Sequence, residues 1–351
     1  MHRILFLLFF LPSLASGQAK YLLYLKDKSE AEPKDVLSER SLARRSAQNI
    51  PFTSTDFPVT ASYLKALQNH GWEIEGKSKW LNAVLVSGKD SLLASTVQLP
   101  FISSIEGNAD IRGDVSRGKY ARTRTPLDSP VQPISYASST AQIRMLDVDT
   151  MHLNGFLGKG VLVAVMDGGY SGLYSADAFK HLDILHTYNY VHHTAHVDRD
   201  DTHGTNVLSL IAGFIPGKVS GTAPEVQVSL YTTEDVVEEN ESKLEEVYWV
   251  FAAEHADSLG ADIINTSLGY SLFSDPAQNY TYQQMDGKST IISRAANYAA
   301  SVGMVVVIAA GNEGNSAWKY ISAPADAEKV IAVGAVTATE QIAAFSSYGP
   351  S

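Results

Sequence analysis

The chain has 351 residues, 45% of them hydrophobic and 19% charged, the composition of a globular protein of two or three domains. Its formal net charge of −11 argues against a nucleic-acid partner, since phosphate binding needs clustered cations. It has no cysteine, which excludes disulfides and thiolate metal sites.

Met1-His2-Arg3 is a short basic start, followed by the apolar run ILFLLFFLPSLA. Ala15 and Gly17 then stand at the −3 and −1 spacing of a signal-peptidase site. The run is short for a membrane span, so residues 1–17 read as a signal peptide. The mature polypeptide is then exported, secreted or periplasmic, with no membrane span left after signal removal.

Residues 18–112 read as a small α+β unit. YLLYLK is a strand, KDVLSERSLARRSAQ a helix, and VTASYLKALQNHG a second helix closed by Gly71. WLNAVLVSG alternates like a half-buried strand, KDSLLASTVQ is a short helix, and FISSIEGNADI is a closing strand. The order suits a ferredoxin-like sandwich. Residues 113–139 hold three prolines and the basic residues Arg117, Lys119, Arg122 and Arg124, and read as an exposed linker, either a processing site or a simple interdomain tether.

Residues 140–351 change to an α/β pattern. AQIRMLDVDTMHLNGF reads as an amphipathic helix, and VLVAVMD as an apolar strand covered on both faces. HGTNVLSLIAG, ESKLEEVYWVFAAEHADSLG and STIISRAANYAASVG read as helices. VQVSLYTT, ADIINTSLG, MVVVIAAGN and KVIAVGAV read as strands. Such alternation predicts right-handed crossovers and a parallel sheet, with functional groups at the carboxyl ends of its strands. Asp167, Ser267-Leu268-Gly269 and Asn312 fall at such ends. Asp167 is expected half-buried, and His203 opens a helix that Thr202 or Asp201 can cap. A carboxylate bonded to one imidazole nitrogen makes the histidine a general base. An amide such as that of Asn312 can donate to a developing oxyanion.

These motifs resemble, in order, those of the subtilisin-like serine proteases (subtilases). VAVMDGG resembles the segment around the catalytic Asp, HGTNVLSLIAG that around the catalytic His, and GTAPEVQV the segment closing the following loop. IINTSLG resembles the substrate-binding strand, VVVIAAGNEG the oxyanion-hole motif, and VIAVGAVTATEQIAAFSSYGPS the approach to the nucleophile. The resemblance implies a parallel-sheet α/β catalytic domain, incomplete at its C-terminus, behind a propeptide at 18–112 that inhibits its own enzyme. It implies that Asp167 orients His203, that His203 is the base and that Asn312 binds the oxyanion. Ser267, Leu268 and Gly269 would hold an extended polypeptide substrate, and Ala309, Ala310 and Gly311 would wall the pocket for the side chain before the scissile bond. Asn206 stands where the family usually repeats a histidine. The family's G-T-S-x-A-x-P nucleophile segment is absent from the sequence, and Ser346, Ser347 and Ser351 belong upstream of it. The expected function is thus a secreted serine endopeptidase whose serine lies beyond Ser351. The alternative is an inactive peptide-binding or protease-inhibiting relative.

No cofactor is expected. A structural calcium ion stays possible without support from the short loop 214–220. The histidines at 186, 192, 193, 196 and 203 could suggest zinc, with His192 and His196 four apart, but their segment reads as a solvated loop. The acidic stretch EDVVEENESKLEEVYW reads as a solvated helix start favoured by the helix dipole, with an electrostatic preference for basic peptides as the alternative.

Overall fold

The computed structural model describes residues 19–109, 134–236 and 241–350. The expectations for residues 1–17 and for most of the 113–139 segment lie outside these residues. The N-terminal unit runs β1 (Ala19–Leu25), α1 (Pro33–Val36), α2 (Glu39–Ala47), α3 (Ala61–Asn69), β2 (Glu73–Ser78), β3 (Ala83–Gly88), α4 (Leu93–Thr96) and β4 (Ile102–Ala109). Its antiparallel sheet has the order β2-β3-β1-β4, the ferredoxin-like arrangement. Strand β2 has no counterpart in the sequence reading, because EIEGKS carries one apolar residue and no alternation to detect. The expected helix over 34–48 is two helices. Leu37 is extended, and Ser38 caps α2 by accepting the Ser41 N–H.

One face of this sheet packs Tyr21, Leu23, Val84 and Val86 against Leu67 and Trp72. The other face, with Leu22, Ala83, Leu85 and the turn residue Trp80, enters the largest core of the molecule. Strand β3 is therefore buried at every position, not half-buried as its alternation suggests.

The second unit runs α5 (Thr140–Met145), α6 (Val148–Leu153), β5 (Leu162–Asp167), β6 (Asp183–Asn189), α7 (His203–Ala212), β7 (Phe214–Ile215), β8 (Val219–Ser220) and β9 (Gln227–Thr232). It continues through α8 (Lys243–Leu259), β10 (Ile263–Thr266), α9 (Ile291–Ser301), β11 (Val305–Ala309) and β12 (Ile331–Val333). Six strands form a parallel sheet in the order β12-β11-β10-β5-β9-β6. Leu162, Ala164 and Met166 of β5 face the α8/α9 side, while Val163 and Val165 face the α7 side. That two-sided burial is why β5 reads as an unbroken apolar run.

Two local expectations are corrected. The helix predicted over 141–156 is broken at Asp147, whose φ of 55° lies in the left-handed region. His186 to Asn189 belong to strand β6, not to a loop. There the His186 ring packs 4.3 Å from that of His255 on α8, a tertiary contact that the polar local sequence does not announce.

The two units meet along α8. Arg44 and Arg45 of α2 reach Asp257 at 2.5 and 2.8 Å, and Lys79 reaches it at 3.2 Å. Glu254, one turn earlier, accepts the Ser78 hydroxyl and the backbone N–H groups of Lys79 and Trp80. Gly76 lies where a Cβ would overlap the Phe251 ring, so β2 lies flat on the helix at that point.

Candidate active site

The site forms at the carboxyl edge of the parallel sheet. Thr266 of β10 is in register with Met166 of β5 and Ile308 of β11. The next residues, Asp167, Ser267 and Ala309, therefore form one row across three strands spaced about 4.8 Å apart. Asp167 is 2% exposed, fully buried where half-burial was expected, because α7 lies across it. Its Oδ1 accepts the Gly168 N–H at 2.9 Å and the His203 Nδ1–H at 2.7 Å. The remainder of the His203 side chain is open, 53% exposed, so Nε2 is available to a ligand. The hydrogen bond to Asp167 is the main cause raising the His203 pKa above its usual value; the carboxylates of Asp167, Asp201 and Glu234 add to it, against burial.

Close backbone approach sets this geometry. A Cβ on Gly204 would overlap the Gly169 carbonyl oxygen and lie 3.0 Å from the Asp167 Cβ. Two hydrogen bonds clamp α7 to the loop after β5: Ser171 N–H to Asp201 O at 2.8 Å, and Thr205 Oγ1–H to Ser171 O at 2.9 Å. The helix opens without the side-chain cap expected from Thr202 or Asp201; Asp201 accepts the Thr202 N–H at 2.5 Å instead. Gly204→Ala is expected to push His203 about 1 Å from Asp167 and lower kcat about 10²-fold. A crystal structure with turnover kinetics checks this, and unchanged kcat would show that the loop yields.

On the β10 side, Ser267 is half-buried, Leu268 buried and Gly269 exposed. The exposed glycine leaves backbone open beside the row. Tyr270 and Ala323 exchange backbone hydrogen bonds at 2.8 and 3.0 Å, and Ser322 N–H reaches Ala310 O at 3.3 Å. These tie the 267–270 segment to the 309–311 segment. Gly311 O accepts the Ser347 N–H at 3.0 Å, and Asn312 follows with its side chain exposed. The structure thus pairs Asp167 with His203 directly, and sets the Ser267–Gly269 and Ala309–Asn312 segments on the same edge. Ser346 and Ser347 are buried and accept backbone N–H groups of Ala335 and Glu313. Ser351 lies outside the described residues.

The acidic stretch is not the solvated helix start expected. Glu245 and Glu246 are 4% and 0% exposed. Glu245 accepts the N–H groups of Asp235 and Ser242, while Glu246 accepts the Tyr280 hydroxyl and the Ile292 N–H. Of two residues near the dyad, Glu234 belongs to the acidic stretch already singled out in the sequence, and Tyr270 escaped the sequence reading. Glu234 opens the acidic stretch, and its side chain lies beside Gly168; Tyr270 follows the motif glycine without any signal of its own. His192, for its part, approaches Asp200 at 3.3 Å. Among the described residues no three His, Asp or Glu side chains gather as metal ligands, and no helix is long and apolar enough to cross a membrane.

The chain that builds this buried carboxylate and open imidazole at the end of a parallel sheet matches two known families in sequence. Residues 158–351 match the subtilase family, and residues 20–124 match the peptidase S8 propeptide domain of Bacteroidota. The chain belongs to the subtilase family. It is similar to the minor extracellular protease Epr of Bacillus subtilis, with 28% identity over 79% of this chain and 38% of that protein. It is also similar to subtilisin DY of Bacillus licheniformis (31% identity, 59% of this chain, 68% of that protein) and to subtilisin NAT of Bacillus subtilis subsp. natto (32%, 61% and 51%). The chain thus spans well under two thirds of the length of some of these relatives. In fold it matches the crystal structure of the epidermin leader peptide processing serine protease EpiP of Staphylococcus aureus. That match has a TM-score of 0.55 at 16% identity, covering 94% of this chain and 73% of that one.

Proposed function

We propose that the protein is an exported serine endopeptidase made as an inactive precursor. The observation that carries this reading is the 2.7 Å contact between buried Asp167 and the open His203. In the proposed mechanism His203 Nε2 takes the proton of the nucleophilic serine. Asp167 fixes the Nδ1–H tautomer and stabilises the imidazolium. The Asn312 amide donates to the oxyanion, a contribution of about 3–4 kcal/mol. An extended polypeptide substrate adds a strand to Ser267, Leu268 and Gly269, with the side chain before the scissile bond against Ala309, Ala310 and Gly311. Residues 1–17 act as signal peptide, 18–112 as inhibitory propeptide, 113–139 as linker and 140–351 as peptidase domain, and the chemistry uses no cofactor.

The test is labelling of the full-length protein by a fluorophosphonate probe, after removal of residues 18–112. Labelling that depends on His203 supports the reading, and its absence discards it. The probed enzyme should also show a shifted pH profile. An imidazolium cannot accept a proton, so a raised His203 pKa delays the active base to higher pH. The acid limb of kcat/KM is therefore expected above the ordinary histidine value of 6.5. A limb at or below 6.5 would show that the Asp167 contact does not persist in the working enzyme.

A further inference from the structure

We infer that Thr232 is a positioning residue of the dyad, its hydroxyl holding the second carboxylate oxygen of Asp167 directly or through one water; the inference rests on the peptidase reading above. Asp167 is tied through Oδ1 alone, which accepts both the Gly168 N–H and the His203 Nδ1–H. Its Oδ2 is buried and has no hydrogen-bond partner among the described residues. The same holds for Oγ1 of Thr232, a residue 0% exposed. Buried polar groups ordinarily find partners, and here an acceptor and a donor without one stand on neighbouring strands.

Strand register brings the two together. In the parallel pair β5 and β9, Val163, Val165 and Asp167 stand opposite Val228, Leu230 and Thr232. The four apolar members of this series enter the core on the α7 side, and strand alternation sends Asp167 and Thr232 to that same face. Thr233 turns to the other. Register partners on adjacent strands are about 4.8 Å apart, a span that a hydroxyl and a carboxylate close by themselves or with one water between them.

Strand β6 extends the row. Asn189, also 0% exposed, stands opposite Thr232. Its Nδ2–H donates to Asp200 Oδ2 at 3.0 Å, and its Oδ1 accepts the His192 N–H at 2.9 Å. Asp200 has a φ of 71°, in the left-handed region, and its carboxylate also accepts the Arg199 Nε–H at 2.7 Å. It lies three residues before His203. A polar row in an otherwise apolar face therefore runs from the carboxylate of the dyad to the approach to its histidine, with Thr232 in the middle.

The effect is on orientation. A carboxylate tied at one oxygen swings about its Cβ–Cγ bond. Tied at both, it keeps Oδ1 on the Nδ1–H and so preserves the tautomer that leaves Nε2 free to take a proton. Strand β5 separates Thr232 from β10 and β11, so losing the hydroxyl should leave substrate binding alone.

The experiment uses the processed full-length protein, its active sites counted by fluorophosphonate. Thr232→Val keeps nearly the same shape without the hydroxyl. It is expected to lower kcat about tenfold with KM changed less than about twofold. Thr232→Ser, which restores the hydroxyl, is expected to return kcat to within about threefold of the unaltered protein. An unchanged kcat in Thr232→Val, a loss carried by KM, or a Thr232→Ser protein as slow as Thr232→Val overturns the inference. A crystal structure of the unaltered precursor with its ordered waters decides the contact without any turnover. Thr232 Oγ1 within about 3.2 Å of Asp167 Oδ2, or one water within that distance of both, supports it; neither arrangement overturns it. If labelling and turnover are both missing, the peptidase reading falls, and that structure still decides the contact.

Discussion

Alanine at position 203 is expected to lower kcat of the processed, full-length protein by about 10⁶-fold, the size of loss seen when subtilisin itself loses its base. The reason is geometric. His203 joins a buried anion to open solvent: Nδ1 is bound to Asp167 at 2.7 Å while the side chain stays 53% exposed. Without it the nucleophile keeps its proton, and the carboxylate, 2% exposed, is left facing a cavity. Asp167→Asn should cost less, about 10⁴-fold, because the imidazole remains but is held in the wrong tautomer. Single-turnover kinetics on both variants reads the difference. A His203→Ala protein retaining more than about 1% of kcat would mean that another group takes the proton.

The second large effect is expected away from the chemistry. Asp257→Ala should weaken the hold of the N-terminal unit on the peptidase unit by about 3–4 kcal/mol, the range for removing one partner from a buried ion pair. Asp257 is 0% exposed and faces Arg44, Arg45 and Lys79 at 2.5–3.2 Å. Arg45 keeps Asp56 at 2.8 Å, but Arg44 loses its carboxylate inside the interface. Expressed as inhibition by the separated N-terminal unit, the inhibition constant should rise about 10²–10³-fold. A change under threefold would show that the apolar contact alone holds the units together.

The Asp167–His203 pair is legible in the sequence because it sits where apolar runs stop. Val161 to Met166 declare a strand buried on both faces, so the acid that follows must stand at a sheet edge. The glycine after His203 marks a close approach. What escaped the sequence depends on partners far along the chain. Glu246 is surrounded by charge in sequence, yet it is buried because Tyr280 and Ile292 bring it donors. Strand β2 is polar because it is the edge of its sheet, with β3 as its strand neighbour, and β6 hides among histidines because its ring partner is on α8. Helix breaks at Ser38 and Asp147 turn on single backbone angles that hydrophobic periodicity does not register.

The flat seat of β2 against α8 has an implication for inheritance. Since Gly76 leaves no gap for a methyl group above the Phe251 ring, the leading unit is keyed to one helix surface. A leader taken from a cousin would fit only if it brought a bare backbone to the same spot. The two halves of the gene are thus expected to change in step, and exchanges between lineages should succeed when they carry both contacts or neither.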